Sequence, residues 1–241
     1  MKIPFYFLSA LSISFSIKAQ PVIKNYVLDK SVQVRGTMSK VMHEGDLTST
    51  INIDTISDKQ YLTGLGALEN LTGEIMIMDG IGYQSKVGKD HTLQVSETFA
   101  MKAPFFAYTH VQHWQEVVLP DSIHALPQLE YFLDQVTKKF PRPFIFRVIT
   151  TVDSASIHVL NLPPGTKVRS PEDAHQGHED FTILNKEVDL VGFFSTQHQG
   201  IFTHHDTFIH VHLISHDHQY MGHLDAIAFK PGFTRLLLPR L

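Results

Sequence analysis

The chain has 241 residues, of which 43% are hydrophobic and 18% charged, with a formal net charge of −4; this is the profile of an ordinary globular protein of one large domain or two small ones. That balance, without blocks of like charge, provides no electrostatic footprint for nucleic acid. Cysteine is absent, which excludes a disulfide framework and thiolate metal ligands, so any metal site must be built from histidine and carboxylates.

Met1-Lys2, an apolar stretch from Ile3 to Ile17, and Lys18-Ala19-Gln20 read as a secretory signal peptide over residues 1–19, with a small residue at the cleavage point. The mature protein is accordingly expected to be secreted or periplasmic and to have no membrane partner once the leader is removed. Val32 to Gly36 alternates like a strand running into a turn. Asp46 to Gln60 is polar and suits a loop or a helix start. From Leu62 to Tyr83, glycines at 64, 66, 73, 80 and 82 punctuate short apolar runs, the signature of strands joined by tight turns. Glu74 to Asp79 is one such strand, ended by the Asp79-Gly80 hairpin signal. Glu74 stands at its mouth, where a carboxylate can point into a site. Gly64 and Gly66 do not make a dinucleotide loop, because the third glycine and the following helix are missing.

Strands continue through Leu93 to Val118, with Pro104 to Val111 the most β-prone run. The period then changes: Leu129, Phe132, Leu133, Val136 and Phe140 fall on one face of a helix that Pro141 stops. Phe144 to Val152 and Ser156 to Leu160 form a further pair of strands. A Pro/Gly- and charge-rich connector, Pro163 to Asp180, precedes the strand Val188 to Phe194. The fold class is α+β and mostly β. A larger mixed β-sheet domain with one amphipathic helix is expected over 20–165, and a smaller β-rich region carrying a metal site over 166–241.

Seven of the sixteen histidines fall between His204 and His223. In a strand, alternate residues share a face, so His210 and His212 project to one side about 6.5–7 Å apart. Ser215 to Gly222 suits a return loop, after which His223 enters from the neighbouring strand. Three neutral imidazoles with an open position make a catalytic zinc arrangement, which manganese, iron, nickel or cobalt would also suit. The competing reading is a solvated strand face in a histidine-rich chain. His204, His205, His216 and His218 read as solvated.

Several stretches together resemble the alpha-acetolactate decarboxylase family: Gly64-Leu-Gly, Leu71-Thr-Gly-Glu-Ile, Asp79-Gly-Ile-Gly-Tyr83, Pro104-Phe-Phe-Ala, His210-Val-His-Leu and Gly222-His-Leu-Asp225. The resemblance implies a usually dimeric carboxy-lyase that converts 2-acetolactate to acetoin, with zinc on His210, His212 and His223 and with Glu74 as its active-site glutamate. Such a 2-hydroxy-3-oxo acid offers two oxygens to one metal, and its reaction ends with a proton delivered to carbon. The chain departs from the family pattern in three ways. Ala67 replaces a threonine; His158 stands near the place of an arginine, with Arg169 well offset; and Phe229 to Leu241 lacks the expected C-terminal carboxylate. These departures leave a second expectation, an exported, weak or silent family member that binds metal or a small hydroxy acid.

Overall fold

The computed structural model describes residues 31–203, 206–230 and 232–240. The leader at 1–19, His204 and His205 lie outside the described residues. The first half of the chain supplies β1 (Gln33–Arg35), β2 (Ile51–Asn52), β3 (Leu62–Ala67), β4 (Glu74–Met78), β5 (Ile81–Val87), β6 (Leu93–Glu97), β7 (Lys102–Ala103) and β8 (Phe106–His110). Six of these build one sheet in the order β1-β8-β3-β4-β5-β6, while β2 pairs with β7. The Asp79-Gly80 signal makes the β4–β5 hairpin: both residues have positive φ, 50° and 83°, as a turn matched to strand twist requires.

The rest of the chain forms β9 (Trp114–Val118), α1 (Leu126–Val136), β10 (Phe144–Val159), α2 (Pro171–Ala174), β11 (Glu179–Leu184), β12 (Glu187–Phe194), β13 (Ile209–Ser215), β14 (Met221–Phe229) and β15 (Arg235–Pro239). The two strands expected between Phe144 and Leu160 are one 16-residue strand. The polar Asp153-Ser154 step, which looks like a turn, is instead a register shift where β10 changes partners. Its first half pairs with β12 and β15, and its second half with β11 and β14. Because β13 joins β12 to β14, the sheet closes on β10 as a small barrel. The barrel sheet takes strands from both sides of residue 165.

A mixed sheet was expected, but every pairing between the named strands is antiparallel. The physical reason lies in the connections: tight turns return a strand beside its predecessor, whereas parallel neighbours need a long crossover, usually helical. The only α-helix longer than one turn among the described residues is α1. It buries Leu129, Phe132 and Leu133 on the barrel core formed by Phe144, Phe146, Val148, Leu190, Val211 and Leu224.

A second core lies between the layers. Leu65, Met76, Tyr83 and Ala107 of the six-stranded sheet pack on Ile145, Val191, Phe193, Ile214 and Met221 of the barrel's outer face. A partly buried ion-pair network ties the same layers: Arg147 Nε donates to Asp189 Oδ1 at 2.8 Å, and its Nη1 to Oδ2 of the exposed Asp79 at 2.5 Å. The candidate site opens in this interface.

Candidate metal centre

Along β13, Ile209, Val211 and Leu213 point into the barrel, so strand alternation turns His210 and His212 outward toward the other sheet. The turn from Ser215 to Met221 brings β14 back with His223 paired directly to His212. Ring centres stand 5.1 Å apart for His210–His212, 4.9 Å for His210–His223 and 5.5 Å for His212–His223. One ligand nitrogen from each lies within 4.8 Å of the others. All three are buried, at 2%, 0% and 8% exposure, which rules against the solvated-face reading.

His210 Nδ1 donates to the Phe202 carbonyl at 2.7 Å. A carbonyl can only accept, so the proton sits on Nδ1 and Nε2 is the candidate ligand atom. Phe105, from the Pro104-Phe motif, covers the same ring at 6.2 Å between centres. A buried, cysteine-free set of three imidazoles suits a borderline divalent transition metal, and the group could hold one.

Glu74 reaches this point from the opposite sheet. It shares the face of Met76 on β4, and its Oε2 lies 3.7 Å from His212 Nε2. Its Oε1 accepts the Leu160 N–H at 3.2 Å. At 2% exposure, burial pushes this carboxyl well above the usual carboxylate range; the charge of Asp225 adds to the rise and the Leu160 N–H opposes it. Sequence alone placed Glu74 at a strand mouth, and the structure brings it to the histidines.

Four further residues gather at this locus. Sequence reasoning placed His158 near the family's arginine and Asp225 in the His223 motif without joining them to the triad, and did not single out His175 or His178. His158 on β10 pairs directly with His223, with ring centres 4.7 Å apart, and its Nδ1 lies 2.8 Å from Asp225 Oδ1. Asp225 is an extra residue in its strand: Ile157 opposes Leu224 and Ser156 opposes Ala226. Such a bulge re-aims a side chain, here onto His158. His175, which follows α2, and His178 complete the group; burial, reinforced by the neighbouring imidazoles, holds His175 below the usual histidine range. The facing side of His158 was legible from the alternation of Ser156 to Leu160. Its neighbour was not.

In the region where the resemblance implies an arginine, the side chain against the triad is therefore His158. Arg169 is exposed, with its backbone N–H on Asp173. The C-terminal strand β15, which lacks a carboxylate, runs between β10 and β9, and Asp225 is the second carboxylate at the site. His216 stands outside it, half-exposed against Asp189 at 3.0 Å and Glu187 at 3.3 Å. His218 lies near Glu97 and Tyr83. A cleft of about 470 Å³ runs past His223 and Asp225 toward α1, lined also by Glu130 and Asp206.

Comparison with known proteins agrees with this architecture. Residues 34–235 match the family model described as alpha-acetolactate decarboxylase. The alpha-acetolactate decarboxylase of Lactococcus lactis subsp. lactis (strain IL1403) is 29% identical over 164 residues, covering 67% of this chain and 65% of that protein. That of Lactococcus lactis subsp. cremoris (strain MG1363) is 28% identical over the same length and coverage. The aligned stretch thus spans just under two thirds of each relative. Among solved structures, the alpha-acetolactate decarboxylase of Bacillus subtilis strain 168 superposes with a TM-score of 0.69 at 16% identity, covering 87% of this chain and 86% of that one. A Staphylococcus aureus protein of unknown function, similar to alpha-acetolactate decarboxylase, gives 0.67 at 16% identity, with 86% and 84% covered. At such identities the superpositions speak for the fold, and the family model speaks for descent: the chain belongs to the alpha-acetolactate decarboxylase family.

Proposed function

We propose that this protein removes the carboxylate of 2-acetolactate as carbon dioxide and releases acetoin, using zinc held by His210, His212 and His223 with Glu74 as the acid. The observation that carries the reading is the buried meeting of three imidazoles with a carboxyl group from the opposite sheet, in a chain whose relatives are named for this reaction. When bound, the ion would polarise the hydroxyl and carbonyl oxygens of the substrate and offset the negative charge left as carbon dioxide departs. The histidines hold their nitrogens toward one point and exclude water from it. The Leu160 N–H pins Glu74 Oε1, which leaves Oε2 facing the triad. Burial raises that carboxyl above the usual carboxylate range and so favours its protonated form, and its position beside the triad suits it to return a proton to the substrate carbon from which the carboxylate left.

The experiment is acetoin formation from racemic 2-acetolactate by the purified protein, with metal content measured on the same sample. About one zinc in the triad and rapid acetoin release support the reading. Loaded protein that leaves the rate at its spontaneous value overturns it and favours a silent, metal-binding family member. From the sequence and the family resemblance, respectively, we also propose export behind residues 1–19 and a homodimer.

A further inference from the structure

The histidines outside the triad form a cluster of their own on its flank. Ring centres stand 5.2 Å apart for His158–His175, 5.6 Å for His158–His178 and 5.7 Å for His175–His178. Three imidazoles sharing one ion at about 2.0–2.1 Å have ring centres roughly 5 Å apart, close to both this set and the triad.

Hydrogen bonds decide which nitrogen each ring offers. His175 Nδ1 donates to the Pro171 carbonyl at 2.6 Å, and His178 Nδ1 to the His175 carbonyl. Since carbonyls only accept, both protons sit on Nδ1 and both Nε2 atoms keep lone pairs. His158 Nδ1 is held in the same way by the Asp225 carboxylate at 2.8 Å. Metal-binding histidines are prepared in this manner, with the outer N–H held by a carbonyl or carboxylate and the other nitrogen left for the ion. The same tautomers argue against an anion site, because a lone pair cannot donate to a carboxylate or phosphate. Asp180 Oδ1 lies 3.4 Å from His178 Nε2 and supplies an oxygen for a fourth position.

We propose that His158, His175 and His178, with Asp180, form a second site for a divalent transition-metal cation, joined to the buried triad through the His158–His223 ring contact. Among the described residues three ligand atoms converge within 4.8 Å only in the triad; the outer nitrogens stand farther apart, and binding an ion there requires a shift of His178, whose side chain is 34% exposed, about its Nδ1 hydrogen bond. Lying nearer the surface, the outer site holds the weaker of the two ions.

The test is a titration of metal-stripped protein with zinc by calorimetry, with metal counted after gel filtration. Two equivalents are expected in the wild type, the second weaker than the first. His175→Gln/His178→Gln retains only the tight equivalent, and His210→Gln/His212→Gln retains only the weak one. Asp180→Asn, a change at an exposed side chain, weakens the second equivalent about tenfold and leaves the first unchanged. Circular dichroism of each metal-free variant checks that it is folded. A single equivalent in the wild type overturns the proposal, as do two undiminished equivalents in His175→Gln/His178→Gln or an unaltered second affinity in Asp180→Asn. None of these results touches the triad's own function, which fails separately if wild-type protein with the tight equivalent filled forms no acetoin.

Discussion

Replacing Glu74 by glutamine should separate stability from activity at one buried atom pair. The Leu160 N–H, on a residue 4% exposed, has Glu74 Oε1 as its acceptor at 3.2 Å. Glutamine keeps an acceptor there; alanine removes it, leaves a buried donor unsatisfied and opens a void, at a combined cost of about 2–4 kcal/mol. Glutamine also removes an ionisation that burial resists. Because the folded-state carboxyl is raised above its ordinary 4.5, its contribution to stability is fully present below that pH and is lost progressively as pH rises toward the folded value. Each tenfold change in acidity is worth about 1.4 kcal/mol. In metal-free protein Glu74→Gln should therefore match the wild type near pH 4 and exceed it increasingly above, while Glu74→Ala falls below both. If Glu74 delivers the proton, Glu74→Gln should still lose roughly two to four powers of ten in acetoin formation. Urea denaturation across pH, paired with the acetoin assay, reads both quantities. Near-wild-type turnover by Glu74→Gln, or a stability gap that does not change with pH, would refute the reasoning.

Other outcomes follow from the same structure. In the turn joining the two ligand strands, the Lys186 ammonium, with the Ser215 hydroxyl, pushes Asp217 down to about 2. Its stabilising contribution is therefore complete above about pH 4 and lost as pH falls toward 2, so the difference in melting temperature between wild type and Asp217→Asn should close over that interval; a constant difference contradicts the assignment. A Cβ at Gly192 would stand 2.3 Å from Phe146 Cζ, and the ring is fully buried in the barrel. Gly192→Ala should thus cost about 1–3 kcal/mol in urea unfolding, with Phe146→Leu in the same chain recovering part of it; strictly additive losses would show that the ring is not the obstacle. Chelation should lower the melting temperature of the metal-loaded wild type, by the equivalent of about 2.7 kcal/mol when free metal had stood at 100 times Kd, and a His210→Ala/His212→Ala variant should respond less; equal responses would place the stabilising ion elsewhere.

Much of the local geometry was legible in the sequence because it is set by neighbours along the chain. Strand alternation put His210 and His212 on one face, the polar run after Ser215 announced the return that carries His223, Asp79-Gly80 specified a hairpin, and the spacing from Leu129 to Val136 specified a helix. Each of these depends on backbone periodicity or on the conformations open to a few residues. Sequence could not show that β10 is one strand, because a polar Asp-Ser step is equally compatible with a turn and with an irregularity in a strand that changes partners. Nor could it foretell that β10, β12, β13 and β14 close into a barrel, since closure depends on registers between segments far apart in sequence. That closure places His158 opposite His223, and the bulge in β14 turns Asp225 onto His158. The packing of the barrel's outer face on the other sheet carries Glu74 to His212. The ligand strands were thus encoded locally, whereas the acid beside them and the outer histidines were decided by which faces meet once both cores are buried.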